Sequence, residues 1–356
     1  MKSFMVKRYS SLEAYVPGEQ PHDLEYVKLN TNESPFPPSP KVAEILRQSD
    51  ADKLKLYPDP EGKDLCRAIA AHFGVKKENV LLGNGSDEIL AFAFFAFCAG
   101  EKCVFPDISY GFYKVFAELA GADYKEIPLK SDFSIDVFDY EHAGATVIIA
   151  NPNAPTGVAL TAAQVEQIVR SNPDNVVVID EAYVDFGAES AVTLTKKYEN
   201  LVVVQTYSKS RSLAGARLGF AIASEGLIAD MNKIKYSLNP YNINRLTLLA
   251  GEASIGDDEY FKETTEKIIE NREYTARELK KRGFYVTDSK TNFLFAKTDA
   301  VGGKELYLGL KKRGVLVRHF DKEKIKDFVR ITIGTREQTD ILLKKTDEIL
   351  KEAKNG

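Results

Sequence analysis

Only three cysteines, four histidines and no long apolar or basic run occur in this 356-residue chain, and each shortage excludes a class of function. Cys66, Cys98 and Cys103 are odd in number and lack Cys-x-x-Cys spacing, so neither a disulfide framework nor a zinc site is expected, and a reducing, cytoplasmic setting fits. His22, His72, His142 and His319 form no His-x-His or His-Glu-x-x-His pair, so no metal centre is expected. The longest apolar stretch, Ile89 to Ala99, is too short to span a bilayer, and Met1–Tyr9 carries no signal-peptide core, so no membrane partner is expected. A net charge of −4 without a basic run argues against nucleic acid. The dinucleotide fingerprint, the P-loop and the serine elbow are also missing.

What remains is an ordinary soluble composition, 44% hydrophobic and 28% charged, at a length that suggests about two domains. An arm over residues 1–40 is crowded with prolines and reads as an extended ribbon rather than a helix. From there to about Ser237, apolar runs alternate with helical patterns. Val80–Gly83, Cys103–Phe105, Asp123–Pro128, Ala145–Ala150, Asn175–Asp180, Leu201–Gln205 and Leu218–Ala223 read as strands, with helices over Lys63–Phe73, Asp87–Ala99, Gly111–Ala120 and Thr161–Ser171 between them. That alternation predicts an α/β fold whose large domain, residues 41–237, has a mostly parallel, doubly wound sheet. Residues 238–356, joined by the arm, predict a smaller α/β domain. In it a long helix over Asp257–Arg282 buries Tyr260, Phe261, Ile268, Ile269 and Leu279, and strands cover Phe284–Thr287, Phe293–Lys297, Val315–Phe320 and Val329–Ile333.

Four motifs fall where strands end. Gly83-Asn-Gly-Ser-Asp-Glu88 hands a strand to a helix; Ser86 suits an N-cap, with Asp87 and Glu88 at the positive end of the dipole, and free N–H groups there could also hold a phosphate. Asn151-Pro-Asn-Ala-Pro-Thr-Gly157 is either a rigid turn or a device that aims a side-chain amide at a ligand. Val176–Tyr183 ends on Asp180, where open sheets place ligands; its carboxylate either caps the next loop or pairs with a cationic ring nitrogen, Tyr183 being near enough to serve a ring oxygen. Thr206-Tyr-Ser-Lys-Ser-Arg-Ser212 surrounds Lys209 with hydroxyls, and Arg217 follows eight positions on. This is either a Ser-rich surface loop or a phosphate cradle beside a lysine able to form a Schiff base.

In this order the motifs resemble the fold-type I pyridoxal-phosphate aminotransferases, over essentially the whole chain. Leu29-Asn-Thr-Asn-Glu-Ser-Pro35, Tyr57-Pro-Asp-Pro60 and Phe328-Val-Arg-Ile-Thr-Ile-Gly334 bring it nearest to the branch that acts on histidinol phosphate. The resemblance implies that Lys209 carries pyridoxal phosphate as a Schiff base and shuttles the proton. It implies that Asp180 holds the ring nitrogen protonated, Tyr183 bonds the ring hydroxyl and Tyr110 stacks on the ring. Ser86, Asp87, Glu88, Thr206, Ser208 and Arg217 would cradle the phosphate. Tyr57 would reach the cofactor of the other subunit in a homodimer. Arg330 and Arg318 would take the substrate anions, phosphate and carboxylate in turn, while Tyr15 and Asn32 of the arm close over them. One position departs from the family pattern: Ala154 stands where an asparagine usually precedes Pro-Thr-Gly, so either Asn153 contacts the ring or Tyr183 acts alone. The implied reaction moves the amino group of histidinol phosphate to 2-oxoglutarate, giving glutamate. An aromatic amino acid aminotransferase and a threonine-phosphate decarboxylase of the same fold are the alternatives.

Overall fold

The computed structural model describes residues 4–21 and 23–355; Met1–Ser3, His22 and Gly356 lie outside the described residues. The arm contributes β1 (Val27–Lys28). The large sheet follows, from β2 (Val80–Gly83), β3 (Lys102–Pro106), β4 (Asp123–Ile127), β5 (Thr146–Ala150), β6 (Val177–Asp180), β7 (Leu201–Thr206) and β8 (Gly219–Ala223), in the spatial order β2-β8-β7-β6-β5-β3-β4. Strands β3 to β7 are mutually parallel, and β8 runs antiparallel to both its neighbours. Every residue of β5, β6, β7 and β8 is buried, as expected of strands covered on both faces, whereas the edge strand β4 exposes Asp123, Lys125 and Glu126.

Register sets the working edge of this sheet. Ala150 pairs with Asp180, Asp180 with Val204, and Thr206 with Gly219. The carboxyl ends of β5, β6 and β7 therefore align, and the reversed β8 begins at that same edge, bringing Arg217 to it.

The smaller body holds β9 (Tyr285–Val286), β10 (Phe293–Lys297), β11 (Val315–Leu316), β12 (Arg318–His319) and β13 (Val329–Thr332). An antiparallel sheet runs β12-β13-β10-β9, while β11 pairs in parallel with β1 of the arm. The single strand expected over Val315–Phe320 is thus two, divided at Val317, because its halves find different partners. Leu29 of the arm joins Ile268, Leu279, Leu294, Ile331 and Leu342 in this body's core.

Two further corrections concern helices. Helices over Glu225–Leu238 and Arg245–Ile255 had no counterpart in the sequence pattern, and Ile243, Leu248, Ala250 and Ile255 pack into the core of the large sheet, past the boundary expected at 237. Along Asp258–Lys281 the buried side is more polar than expected: Thr264, Thr265, Arg272 and Thr275 are buried with Ile268 and Leu279, while Tyr260, Phe261 and Ile269 are only partly covered. Burial is tolerable because each threonine hydroxyl donates within its own helix, as Thr265 does to the Phe261 carbonyl at 2.7 Å, and Arg272 donates to the carbonyls of Phe186 and Thr291. No described helix is long and apolar enough to cross a membrane.

Candidate active site

At the aligned strand ends, between sheet, arm and small body, lies a cavity of about 940 Å³. Tyr15, Asn32, Ser86, Asp87, Tyr110, Asp180, Tyr183, Thr206, Ser208, Lys209, Arg217, Arg318 and Arg330 all line it. Lys114 and Lys322 reach its wall too, but Lys209 is the lysine set beside Tyr183: its Nζ donates to the Thr31 carbonyl at 3.3 Å and lies 5.7 Å from the Tyr183 ring centroid.

Helix Ser86–Phe97 begins at one wall. Ser86 is its first residue rather than the expected cap; Gly85 (φ +80°) holds the cap position and offers no side-chain bond, leaving the first-turn N–H groups to an anion. Glycine is required here: a Cβ on Gly85 would come within 2.5 Å of the Arg217 guanidinium, and one on Gly219 within 2.6 Å of the Ser86 nitrogen. Arg217 pairs with Asp87 at 3.2 Å, Asp87 also accepts from the Tyr110 hydroxyl at 2.7 Å, and the Thr206 and Ser208 hydroxyls are 3.0 Å apart. Glu88 turns elsewhere, accepting from the Asn84 N–H and the Asn242 amide, and does not line the cavity.

Below the cavity, Asp180 is buried, and desolvation pushes its carboxyl up to about 6 despite bonds from the Tyr113 hydroxyl (2.8 Å) and the Ala182 N–H (3.2 Å). Tyr113, fully buried, was missed by the sequence reading; nothing in its helical period distinguishes it from a core aromatic. Phenylalanine at 113 should raise the Asp180 pKa further, since a hydrogen bond to a charged group contributes about 1.5–3 kcal/mol, roughly one to two pH units. The Asp180 carboxyl followed by NMR against pH in the cofactor-free protein should show that rise. An unmoved midpoint would remove Tyr113 from this role.

Above, Asn32 (φ +56°) donates its amide to the Tyr183 hydroxyl at 3.0 Å and is itself gripped by Thr332 and Asn292. Arg318 and Arg330 sit opposite each other on β12 and β13. Arg330 is half-buried; desolvation, and more weakly the Arg318 charge, disfavour its charged form, against the tyrosines that favour it. It donates to the Asn30 carbonyl at 3.0 Å, its Nε has no partner, and no acidic side chain among the described residues pairs with it. Arg318 donates to the carbonyls of Val16 and Pro17, tying down the arm, and Tyr15 stacks on Phe112 at 4.2 Å beside Tyr110.

Besides Glu88, one residue expected at this cavity stays away from it. The Asn153 amide is taken up by Ser109, Ile108 and Thr156 and does not line the wall; Ala154 does. Both prolines of that turn, Pro152 and Pro155, follow cis bonds. Tyr57 is 77% exposed and stacks on Tyr241 at 4.4 Å.

The donor set fits the pyridoxal phosphate implied by the resemblance. A helix start without a side-chain cap, with Arg217 and two hydroxyls, suits its phosphate; the buried Asp180 carboxyl, which forms no ion pair among the described residues, suits a protonated ring nitrogen; and the Lys209 amine suits its aldehyde.

Comparison with known proteins follows the same line. The family described as Aminotransferase class I and II matches residues 25–345. The histidinol-phosphate aminotransferase of Brachyspira hyodysenteriae is 53% identical over 353 residues, covering 99% of this chain and all of that one. The Clostridium botulinum enzyme of the same name is 50% identical, covering 96% of each chain. The crystal structure of histidinol-phosphate aminotransferase from Sinorhizobium meliloti in complex with pyridoxal-5'-phosphate superposes with a TM-score of 0.84 at 26% identity, over 91% of each chain.

Proposed function

The chain belongs to the class I and II aminotransferases, and from that premise we propose that it moves the amino group of histidinol phosphate to 2-oxoglutarate, giving imidazole-acetol phosphate and glutamate in histidine biosynthesis, with pyridoxal phosphate as cofactor. The observation that carries this reading is one cavity holding both the Lys209 amine and a half-buried guanidinium, Arg330, with which no acidic side chain among the described residues pairs.

Bound there, the cofactor supplies an aldehyde for amines and a cationic ring that takes up electron density. The protein's side chains do the rest. Asp180 holds a proton on the ring nitrogen through its carboxylate. Tyr183, positioned by Asn32, bonds the ring hydroxyl, a duty assigned to it alone because the Asn153 amide is engaged elsewhere. Tyr110 flanks the ring, and Ser86, Asp87, Thr206, Ser208 and Arg217 hold the phosphate. Lys209 Nζ takes the proton from the substrate's amine-bearing carbon and returns it on the far side of the reaction, being the base already within reach. Arg330 and Arg318 receive the phosphate of one substrate and a carboxylate of the other in turn, since a guanidinium fork fits both anions. Tyr15 and the arm exclude water over them.

We further propose a homodimer in which Tyr57 reaches the neighbouring subunit's cofactor. Its exposed segment, with Leu54 and Leu56, and its stack on exposed Tyr241 support this. Three free, buried thiols support a cytoplasmic location.

The purified protein given histidinol phosphate and 2-oxoglutarate should form glutamate in step with consumption of the amine. Comparable turnover of phenylalanine would favour the aromatic aminotransferase. CO2 release from threonine phosphate without glutamate would favour the lyase.

A further inference from the structure

Lys209 projects into the cavity from a turn whose next two residues point the other way. Buried Ser210 donates its hydroxyl to Asp185 Oδ2 at 2.5 Å, and Arg211 donates to the Ser254 carbonyl at 2.7 Å while lying 4.3 Å from the Phe261 ring centroid. Asp185 stands in the short turn Val184–Phe186 that starts at Tyr183. That turn is anchored from behind, with Val184 and Phe186 buried and Arg272 donating to the Phe186 carbonyl at 2.6 Å.

The Asp185 side chain is half-buried between these two turns. Desolvation raises its carboxyl, and the Ser210 hydroxyl is its one hydrogen-bond donor among the described residues. Of the nearby basic groups, Arg211 bonds the Ser254 carbonyl and lowers the carboxyl only through its charge, while the His72 ring, held toward its neutral form by burial, faces Asp258 at 3.5 Å. A carboxyl so placed costs stability unless it fixes a geometry. The geometry within its reach joins two turns, one carrying Tyr183 and the other carrying Lys209.

We propose that Asp185 is a positioning residue which, through Ser210, holds the Lys209 amine at a set distance from the Tyr183 hydroxyl. The inference rests on the assignment of Lys209 as the cofactor-binding, proton-moving lysine. Asp185 touches neither substrate nor cofactor; it acts through the backbone on either side of the bond. Loss of the bond lets the lysine turn drift against the tyrosine turn, which lowers the rate of proton movement while leaving the arginines that bind substrate untouched.

The test uses holoenzyme variants Asp185→Ala, Asp185→Asn and Ser210→Ala, each also in a Tyr183→Phe background. The pH midpoint of the bound cofactor's visible absorbance, read without substrate, should move by about half a unit or more in Asp185→Ala and Ser210→Ala. In those two variants kcat should fall about tenfold to a hundredfold with KM for both substrates held within about twofold. Asp185→Asn keeps an acceptor for Ser210 and should restore both quantities. With Tyr183→Phe already present, removing Asp185 should add little further shift, the mark of coupled residues. Ser210→Ala breaks the same bond from the other side, so the test survives a failure of Asp185→Ala to fold. A parent midpoint retained in the bond-breaking variants, with only the melting temperature lowered, overturns the inference alone. A parent protein with no visible absorbance from bound cofactor overturns the assignment of Lys209 and this inference with it.

Discussion

Lys209→Ala should lower turnover with histidinol phosphate and 2-oxoglutarate by about ten-thousand-fold or more, because it removes both the covalent anchor and the proton carrier. The neighbouring structure explains why no other group substitutes. Lys209 Nζ is fixed between the Thr31 carbonyl and the Tyr183 ring, whereas Tyr183 itself is held by Asn32. The variant should fold as the parent does, since the amine forms no ion pair among the described residues. Borohydride reduction in the presence of cofactor should add the cofactor's mass to the Lys209 peptide of the parent and leave that of the variant unchanged. A variant that turned over at the parental rate would end the case for this lysine.

Arg330→Met should lower kcat/KM for both substrates by about 2–5 kcal/mol, or roughly 30- to 4000-fold, the range for breaking a buried, hydrogen-bonded charge contact. Most of that should fall on KM, because the contact exists before and during reaction. The ligand-free protein should respond differently. Arg330 is a half-buried charge beside a second guanidinium, with one hydrogen bond to Asn30 and, among the described residues, an unpaired and enclosed Nε. An apolar side chain of similar length loses that bond but relieves the desolvation, so the melting temperature should hold or rise. Unchanged KM for both substrates would remove Arg330 from the pocket; a collapsed melting temperature would make it a structural residue.

Sequence carried the large sheet further than the small one for a physical reason. Strands such as Thr146–Ala150 and Leu201–Thr206 are buried on both faces and read as unbroken apolar runs, so their existence is written locally. Val315–His319 offers no such local sign of its division, because the choice between the arm and β13 is made by partners remote in sequence. The buried side of Asp258–Lys281 was hidden by threonines that satisfy themselves within the helix.

The candidate site divides in the same way. Asp180, Lys209 and Arg217 stand out because chemistry-bearing side chains end or follow apolar runs. Side-chain commitments were not legible: the Asn153 amide is taken by Ser109 and Thr156, and the Tyr113 hydroxyl finds Asp180 across 67 positions of chain.

The Arg318 guanidinium bonds the carbonyls of residues 16 and 17 without using all its N–H donors, so an anion arriving there meets a fork already oriented by the arm. Orienting the fork beforehand lowers the ordering cost of every anion alike. The ribbon of chain at the rim thus sets the direction from which a substrate anion is met.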